Sequence, residues 1–162
     1  MNFENKILSK EIGQLLYNKE KSLATAESCT GGRVAEAIIA VPGASNYFKG
    51  GIVAYTDEVK ADLLSVNPQL LEEKGAVSEE VAREMVKGVI SRMKVDYAIA
   101  VTGYAGPGGG KEAPVGTIWL ACGDTGEIET FMLSENNGRD VNLAVATNKA
   151  LHMFHDFLVK SS

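Results

Sequence analysis

The sequence predicts an α/β fold built on a mixed, mostly parallel sheet. Helix-like and strand-like stretches alternate along its 162 residues, the pattern of helices packed against a largely parallel sheet. Val95 to Val101 is a mostly apolar run, as expected of a central strand covered on both faces. Gly123-Asp124-Thr125-Gly126 separates two strand-like runs and signals a hairpin, so one pairing should be antiparallel.

Ile7, Leu8, Ile12, Leu15 and Leu16 recur at helical spacing, which predicts an amphipathic helix over residues 3 to 18. Residues 22 to 27 are short and β-compatible. The polar cluster Glu27-Ser28-Cys29-Thr30-Gly31-Gly32 then opens a second helix, running to about Ala40 and stopped by Pro42-Gly43. Tyr47 to Tyr55 reads as a strand interrupted by Gly50-Gly51, a pair that marks a bulge or a close backbone approach. Thr56 or Asp57 can cap a short helix through Leu64.

Asn67-Pro68 places proline at the first position of the next helix. Ser78, followed by Glu79 and Glu80, starts another, with its acids at the positive helix end. Val81, Met85, Val86, Val89, Ile90 and Met93 draw one apolar stripe along it. Beyond the central strand, residues 103 to 110 form a glycine-rich loop. Val115 to Ala121 and Ile128 to Leu133 are the hairpin strands. Val141, Ala144, Val145, Leu151, Phe154 and Leu158 mark a long terminal helix. No repeat or linker divides the chain, which reads as one domain.

A hydrophobic content of 45% and a charged content of 23% are ordinary for a soluble domain. The net charge of −5 argues against a nucleic-acid backbone as the main partner. Cys29 and Cys122 form no disulfide framework or zinc pattern. The first residues lack the basic start and apolar core of a signal peptide, and no run is long enough to span a membrane. A cytoplasmic protein is expected.

The loop Thr102-Gly103-Tyr104-Ala105-Gly106-Pro107-Gly108-Gly109-Gly110-Lys111 invites a phosphate-loop reading. Ala105 and Glu112 stand where a Walker A loop needs glycine and Ser or Thr, and Pro114 with a strand follows where a dinucleotide motif needs a helix. Thr102 and Gly103 differ from the rest, because they end the central strand, where open α/β sheets place ligands.

Ser28 can be a helix cap or a nucleophile. As a nucleophile it has backbone N–H groups beside it, those of Cys29, Thr30, Gly31 and Gly32, which could hold an oxyanion. It also needs a base. His152 and His155, on the terminal helix, are weak candidates. Lys60 is the better one, about one helical turn beyond the strand ending at Tyr55, provided burial lowers its pKa. Tyr55 could hydrogen-bond the lysine or a substrate. Glu27 could act as acid and base or orient the turn. Cys29 is a second nucleophile candidate, since a helix start lowers a thiol pKa. Arg139, at the start of the last helix, could clamp a phosphate or pair with Asp140.

The string Thr25-Ala26-Glu27-Ser28-Cys29-Thr30-Gly31-Gly32 resembles the signature of the CinA C-terminal domain family, which includes nicotinamide-mononucleotide amidohydrolases. The resemblance continues through Val41-Pro42-Gly43-Ala44-Ser45, Val53 to Lys60, Gly75 to Glu80, Val101 to Gly109 and Pro114 to Trp119. It implies an α/β/α sandwich that self-associates, here in the stand-alone form without a molybdopterin-binding-like partner domain. It implies hydrolysis of the carboxamide of nicotinamide mononucleotide (NMN) by a serine–lysine pair, without metal or organic cofactor. On matching positions the pair is Ser28 and Lys60, supported by Tyr55, with Thr102 and Arg139 on the substrate. Tyr104 departs from the family, which commonly has an aliphatic residue there, and Asn137-Gly138-Arg139 replaces the usual Gly-Asp-Arg. The other reading left open is a nucleotide-binding or partner-binding domain that catalyses nothing.

Overall fold

The computed structural model describes residues 2–161. Its strands are β1 (Leu23–Glu27), β2 (Phe48–Val53), β3 (Tyr97–Gly103), β4 (Ile118–Gly123) and β5 (Ile128–Leu133). Its helices are α1 (Phe3–Lys19), α2 (Arg33–Ile39), α3 (Asp57–Leu64), α4 (Pro68–Lys74), α5 (Glu79–Met93) and α6 (Arg139–Lys160). The strands form one sheet in the order β2-β1-β3-β4-β5. β1 pairs in parallel with β2 and β3, whereas β3–β4 and β4–β5 are antiparallel. Only β4 runs against the other four, so most strands share one direction although two of the four ladders are antiparallel. The hairpin turn is held by Asp124 Oδ1, which accepts the N–H groups of Gly126 and Glu127, both at 2.8 Å.

The pleat sorts the core into two layers. Leu23, Ile99, Val101, Ile118 and Leu120 point to the face covered by α1, α2 and α6. Ala24, Ala26, Ala98, Ala100 and Ala121 point to the other face. Those small side chains let α5 lie close to the sheet with Val81, Met85, Val86, Val89 and Ile90 turned inward. The result is an α/β/α sandwich with β3 at its centre.

Local chemistry sets the helix starts as expected. Thr56, Asn67 and Ser78 each accept a backbone N–H from the first turn of the helix they precede. α3 sits against α5 where Gly88 faces the Leu64 carbonyl; a Cβ at Gly88 would collide with that oxygen. The glycine therefore seats the helix that carries Lys60.

Three boundaries differ from expectation. α2 begins at Arg33 rather than at Ser28, for a reason given below. β4 begins at Ile118 rather than Val115, because Gly116 and Thr117 bond to Tyr104 in the preceding loop. β2 stops at Val53, leaving Tyr55 beyond the strand. The expected irregularity near Gly50 is present, since the pairing steps from Leu23–Phe48 to Ala24–Gly50 and leaves Lys49 without a partner.

The register positions the site. Glu27 of β1 lies between Val53 of β2 and Val101 of β3. The carboxyl ends of β1 and β2 are thus level, β3 runs two residues further to Gly103, and the segments that follow residues 27 and 53 emerge beside Thr102 and Gly103.

Candidate active site

Glu27 ends β1 at 1% exposure. Its carboxylate accepts Thr30 Oγ1–H at 2.7 Å and the N–H groups of Val34 and Ala35 at 2.9 and 3.0 Å. Those amides open α2 and have no partner within the helix. A carboxylate there also complements the positive helix end. Glu27 thus caps α2 from the strand, and the helix starts at Arg33, five residues after the expected serine cap. Glycines with positive φ, 57° at Gly31 and 106° at Gly32, shape the intervening turn. Glu27→Ala should lower unfolding free energy by about 2–3 kcal/mol, the scale for losing a cap and leaving buried amides unpaired. Urea unfolding measures this, and a change below ~0.5 kcal/mol would contradict the capping role.

Ser28 is therefore released from capping. Its N–H bonds Val101 O at 2.9 Å, which extends the β1–β3 ladder by one residue. Gly31 N–H is taken by Ser28 O at 3.1 Å. Of the turn amides expected to face an oxyanion, those of Cys29, Thr30 and Gly32 have no backbone carbonyl partner among the described residues.

Lys60 lies in α3, one turn after its Thr56 cap. Helical side chains lean toward the helix N-terminus, which carries this one back over residue 55. The amine Nζ lies 3.0 Å from Ser28 Oγ and 3.2 Å from the Tyr55 carbonyl oxygen. Ser28 Oγ lies 3.4 Å from the same carbonyl. Lys60 is 1% exposed, and among the described residues no carboxylate comes within ion-pair distance of its amine. Burial holds its pKa below the ordinary lysine value, and the charges of Asp57 and Cys29 only partly oppose this. Tyr55 contributes its carbonyl; its ring points outward at 61% exposure, so the expected hydrogen bond from its hydroxyl is replaced by one to its backbone.

Cys29 is buried beside Ser28. Burial pushes its thiol up to about 11, against the lowering expected from a helix start. At neutral pH it is a protonated, weakly nucleophilic thiol. His152 and His155 are paired with Glu4 and Glu11 of α1, at 2.7 and 3.0 Å, and clip α6 to α1.

Ser28, Cys29, Tyr55, Lys60, Thr102, Gly103 and Arg139 line one cleft of about 310 Å³. That is at the lower end of the range for small-molecule sites. Thr102 is buried and donates to the Ala76 carbonyl at 2.9 Å, which ties β3 to the loop before α5. Arg139 donates to the Gly106 carbonyl at 2.7 Å rather than pairing with Asp140. Thr30, Gly31 and Gly32 do not line the cleft; the Thr30 hydroxyl is spent on Glu27.

Tyr104 also lines it, as do Asp57 and Val77, two walls that were not expected. Asp57 read only as a helix-cap residue, and the loop before α5 carries no local signal of its contact with Thr102. Among the described residues no group of three His, Cys, Asp or Glu side chains gathers as a metal site, and no helix is long and apolar enough to cross a membrane.

Residues 5–158 match the family model described as the CinA C-terminal domain. A putative competence-damage inducible protein of Halothermothrix orenii is 42% identical over 153 residues, 93% of this chain and 37% of the relative. A CinA-like protein of Gloeobacter violaceus is 44% identical, over 90% of this chain and 35% of the relative. The chain thus spans about a third of the length of the curated relatives it matches. Solved CinA superfamily proteins match more completely. One from Escherichia coli has a TM-score of 0.90 at 39% identity, covering 93% of this chain and 88% of that one. One from Klebsiella pneumoniae has a TM-score of 0.92 at 34% identity, covering 99% of both chains.

Proposed function

This chain belongs to the CinA C-terminal domain family, and from that premise we propose that it hydrolyses the carboxamide of NMN to nicotinate mononucleotide and ammonia. The observation that carries the proposal is the buried Lys60 amine 3.0 Å from Ser28 Oγ. A hydroxyl needs a base to become a nucleophile, and a lysine becomes one only when its environment favours the neutral amine.

In this reaction Ser28 Oγ forms a bond to the carboxamide carbon while its proton passes to neutral Lys60. The carbonyl oxygen takes the negative charge, held by the turn amide of Cys29. Lys60 then gives its proton to the amide nitrogen, the C–N bond breaks and ammonia leaves. Water attacks the resulting ester with Lys60 again accepting a proton, which frees nicotinate mononucleotide and restores the Ser28 hydroxyl. The Tyr55 carbonyl holds the lysine in place.

Arg139 and Thr102 bind the phosphoribosyl part, and that remote binding energy orients the amide. The proposed reaction requires no metal or organic cofactor. The active form is a cytoplasmic homo-oligomer of a single-domain chain acting in pyridine nucleotide salvage. The purified protein should release ammonia and nicotinate mononucleotide from NMN in equal amounts, read by a coupled ammonia assay and chromatography. NMN binding that raises the melting temperature without any ammonia would instead establish a domain that only binds nucleotide. Release only with added zinc would overturn the serine–lysine chemistry.

A further inference from the structure

The structure around Tyr104 is built to hold it. The tyrosine stands between the Ser28 cleft and a neighbouring cleft of about 550 Å³, lining both. Its hydroxyl donates to Glu112 Oε1 at 2.7 Å. The other carboxylate oxygen of Glu112 accepts the Val77 N–H at 3.2 Å, and Val77 itself lines the Ser28 cleft. Two glycines make room for this arrangement. A Cβ on Gly110 would collide with the Tyr104 hydroxyl, and one on Gly75, whose φ is +78°, would collide with the Glu112 carboxylate.

The electrostatics follow from the contact. Burial, then Glu112, pushes the Tyr104 phenol up to about 12, so the ring stays neutral and donates. Burial raises the Glu112 carboxyl, but the bonds from Tyr104 and Val77 outweigh it and keep the group ionised. A neutral phenol donating to a carboxylate has an electron-rich ring face. Such a face attracts a cation within about 6 Å of the ring centre. Asp57 lines the Ser28 cleft, as does Arg139, which has no carboxylate partner among the described residues; Glu112 lines only the neighbouring cleft and acts on the Ser28 cleft through Tyr104. The cleft therefore offers a cation-attracting wall together with a guanidinium for an anion.

We propose that Tyr104, held by Glu112, is a specificity-determining residue that recognises the positive charge of the substrate ring. The inference rests on the NMN-hydrolysis reading and deepens it: among phosphate-bearing ring amides of the same shape, the site selects by the charge of the ring, and Tyr104 is the residue that reads it.

The test compares binding of NMN with binding of its dihydropyridine form, which keeps the phosphate, the ribose and nearly the same shape but has no ring charge. Dissociation constants are measured by calorimetry, using Ser28→Ala protein where turnover interferes. The unsubstituted Tyr104 protein should favour NMN by about tenfold or more, the scale of a partly desolvated cation–π contact. Tyr104→Leu should bring that preference to about twofold or less while the dihydro form still binds, which also reports that the variant is folded. Tyr104→Phe keeps the ring and should retain part of the preference, and Glu112→Gln should weaken it.

An undiminished preference in Tyr104→Leu, or no preference in its parent, would overturn the inference. Ammonia release without charge preference would remove this inference and leave the hydrolysis standing. Charge preference lost on Tyr104→Leu, without any ammonia release in the native protein, would do the reverse.

Discussion

Ser28→Ala should reduce ammonia release from NMN by about 10⁴-fold or more, the loss seen when a nucleophile is removed from a set of groups that act as a unit. The change should leave unfolding free energy within about 1 kcal/mol of the original. Both expectations come from the division of labour at the end of β1. The cap of α2 is the Glu27 carboxylate, so the hydroxyl is not needed to start the helix. The ladder bond to Val101 uses the Ser28 backbone, which alanine keeps. What is lost is the bond from Lys60 and the long one to the Tyr55 carbonyl. Circular dichroism melting and a single-turnover ammonia assay on one preparation check both halves. More than a tenth of the original rate in the variant would end the assignment of Ser28 as nucleophile.

Lys60→Met should abolish turnover and yet raise stability at neutral pH, by about 1–3 kcal/mol. For a chain of this size that is a rise of several degrees in melting temperature. A methionine fills similar volume without a charge, and what it loses are hydrogen bonds to Ser28 Oγ and the Tyr55 carbonyl. The pH dependence identifies the cause. Burial places the folded-state pKa of Lys60 below the 10.5 of an ordinary lysine.

Below the folded-state value both states carry the proton, and the folded state bears the full penalty of the buried charge. Between the two values the unfolded chain binds more protons, so stability rises with pH and the penalty fades. The advantage of methionine should therefore be largest at low pH and shrink as pH climbs toward 10.5. Activity of the unmodified protein should rise with pH through the same folded-state pKa, because only the free amine can accept the Ser28 proton. A Lys60→Met protein less stable than its parent at neutral pH would mean that the lysine holds the site together rather than straining it.

The parts of this molecule legible in its sequence are those set by neighbours in the chain. Thr56, Asn67 and Ser78 cap their helices because a side-chain oxygen and the amide it accepts lie two or three residues apart. The hairpin at Asp124 and the apolar run of β3 are equally local. The Glu27 cap was open to misreading because its targets lie seven and eight residues on, across a turn that strand and helix fold together.

Cys29 shows a local rule losing to a global one, since burial in the finished fold outweighs proximity to a helix start. Lys60 could be nominated from its place after a strand, but its approach to Ser28, 32 residues away, depends on the level ends of β1 and β2 and the seating of α3 at Gly88. The loop before α5 is tied at the cleft by bonds to Thr102 and Glu112, which are distant in sequence.

The Glu27 cap has an evolutionary consequence. Where one residue both starts a helix and carries out chemistry, losing the chemistry weakens the fold, and selection for foldedness protects the function. In the reaction proposed above, those tasks sit on adjacent residues. A descendant could exchange the serine for alanine and remain as soluble, abundant and well folded as its parent. Its silence would show only in a biochemical assay, so position 28 is free to drift toward new roles while position 27 is not.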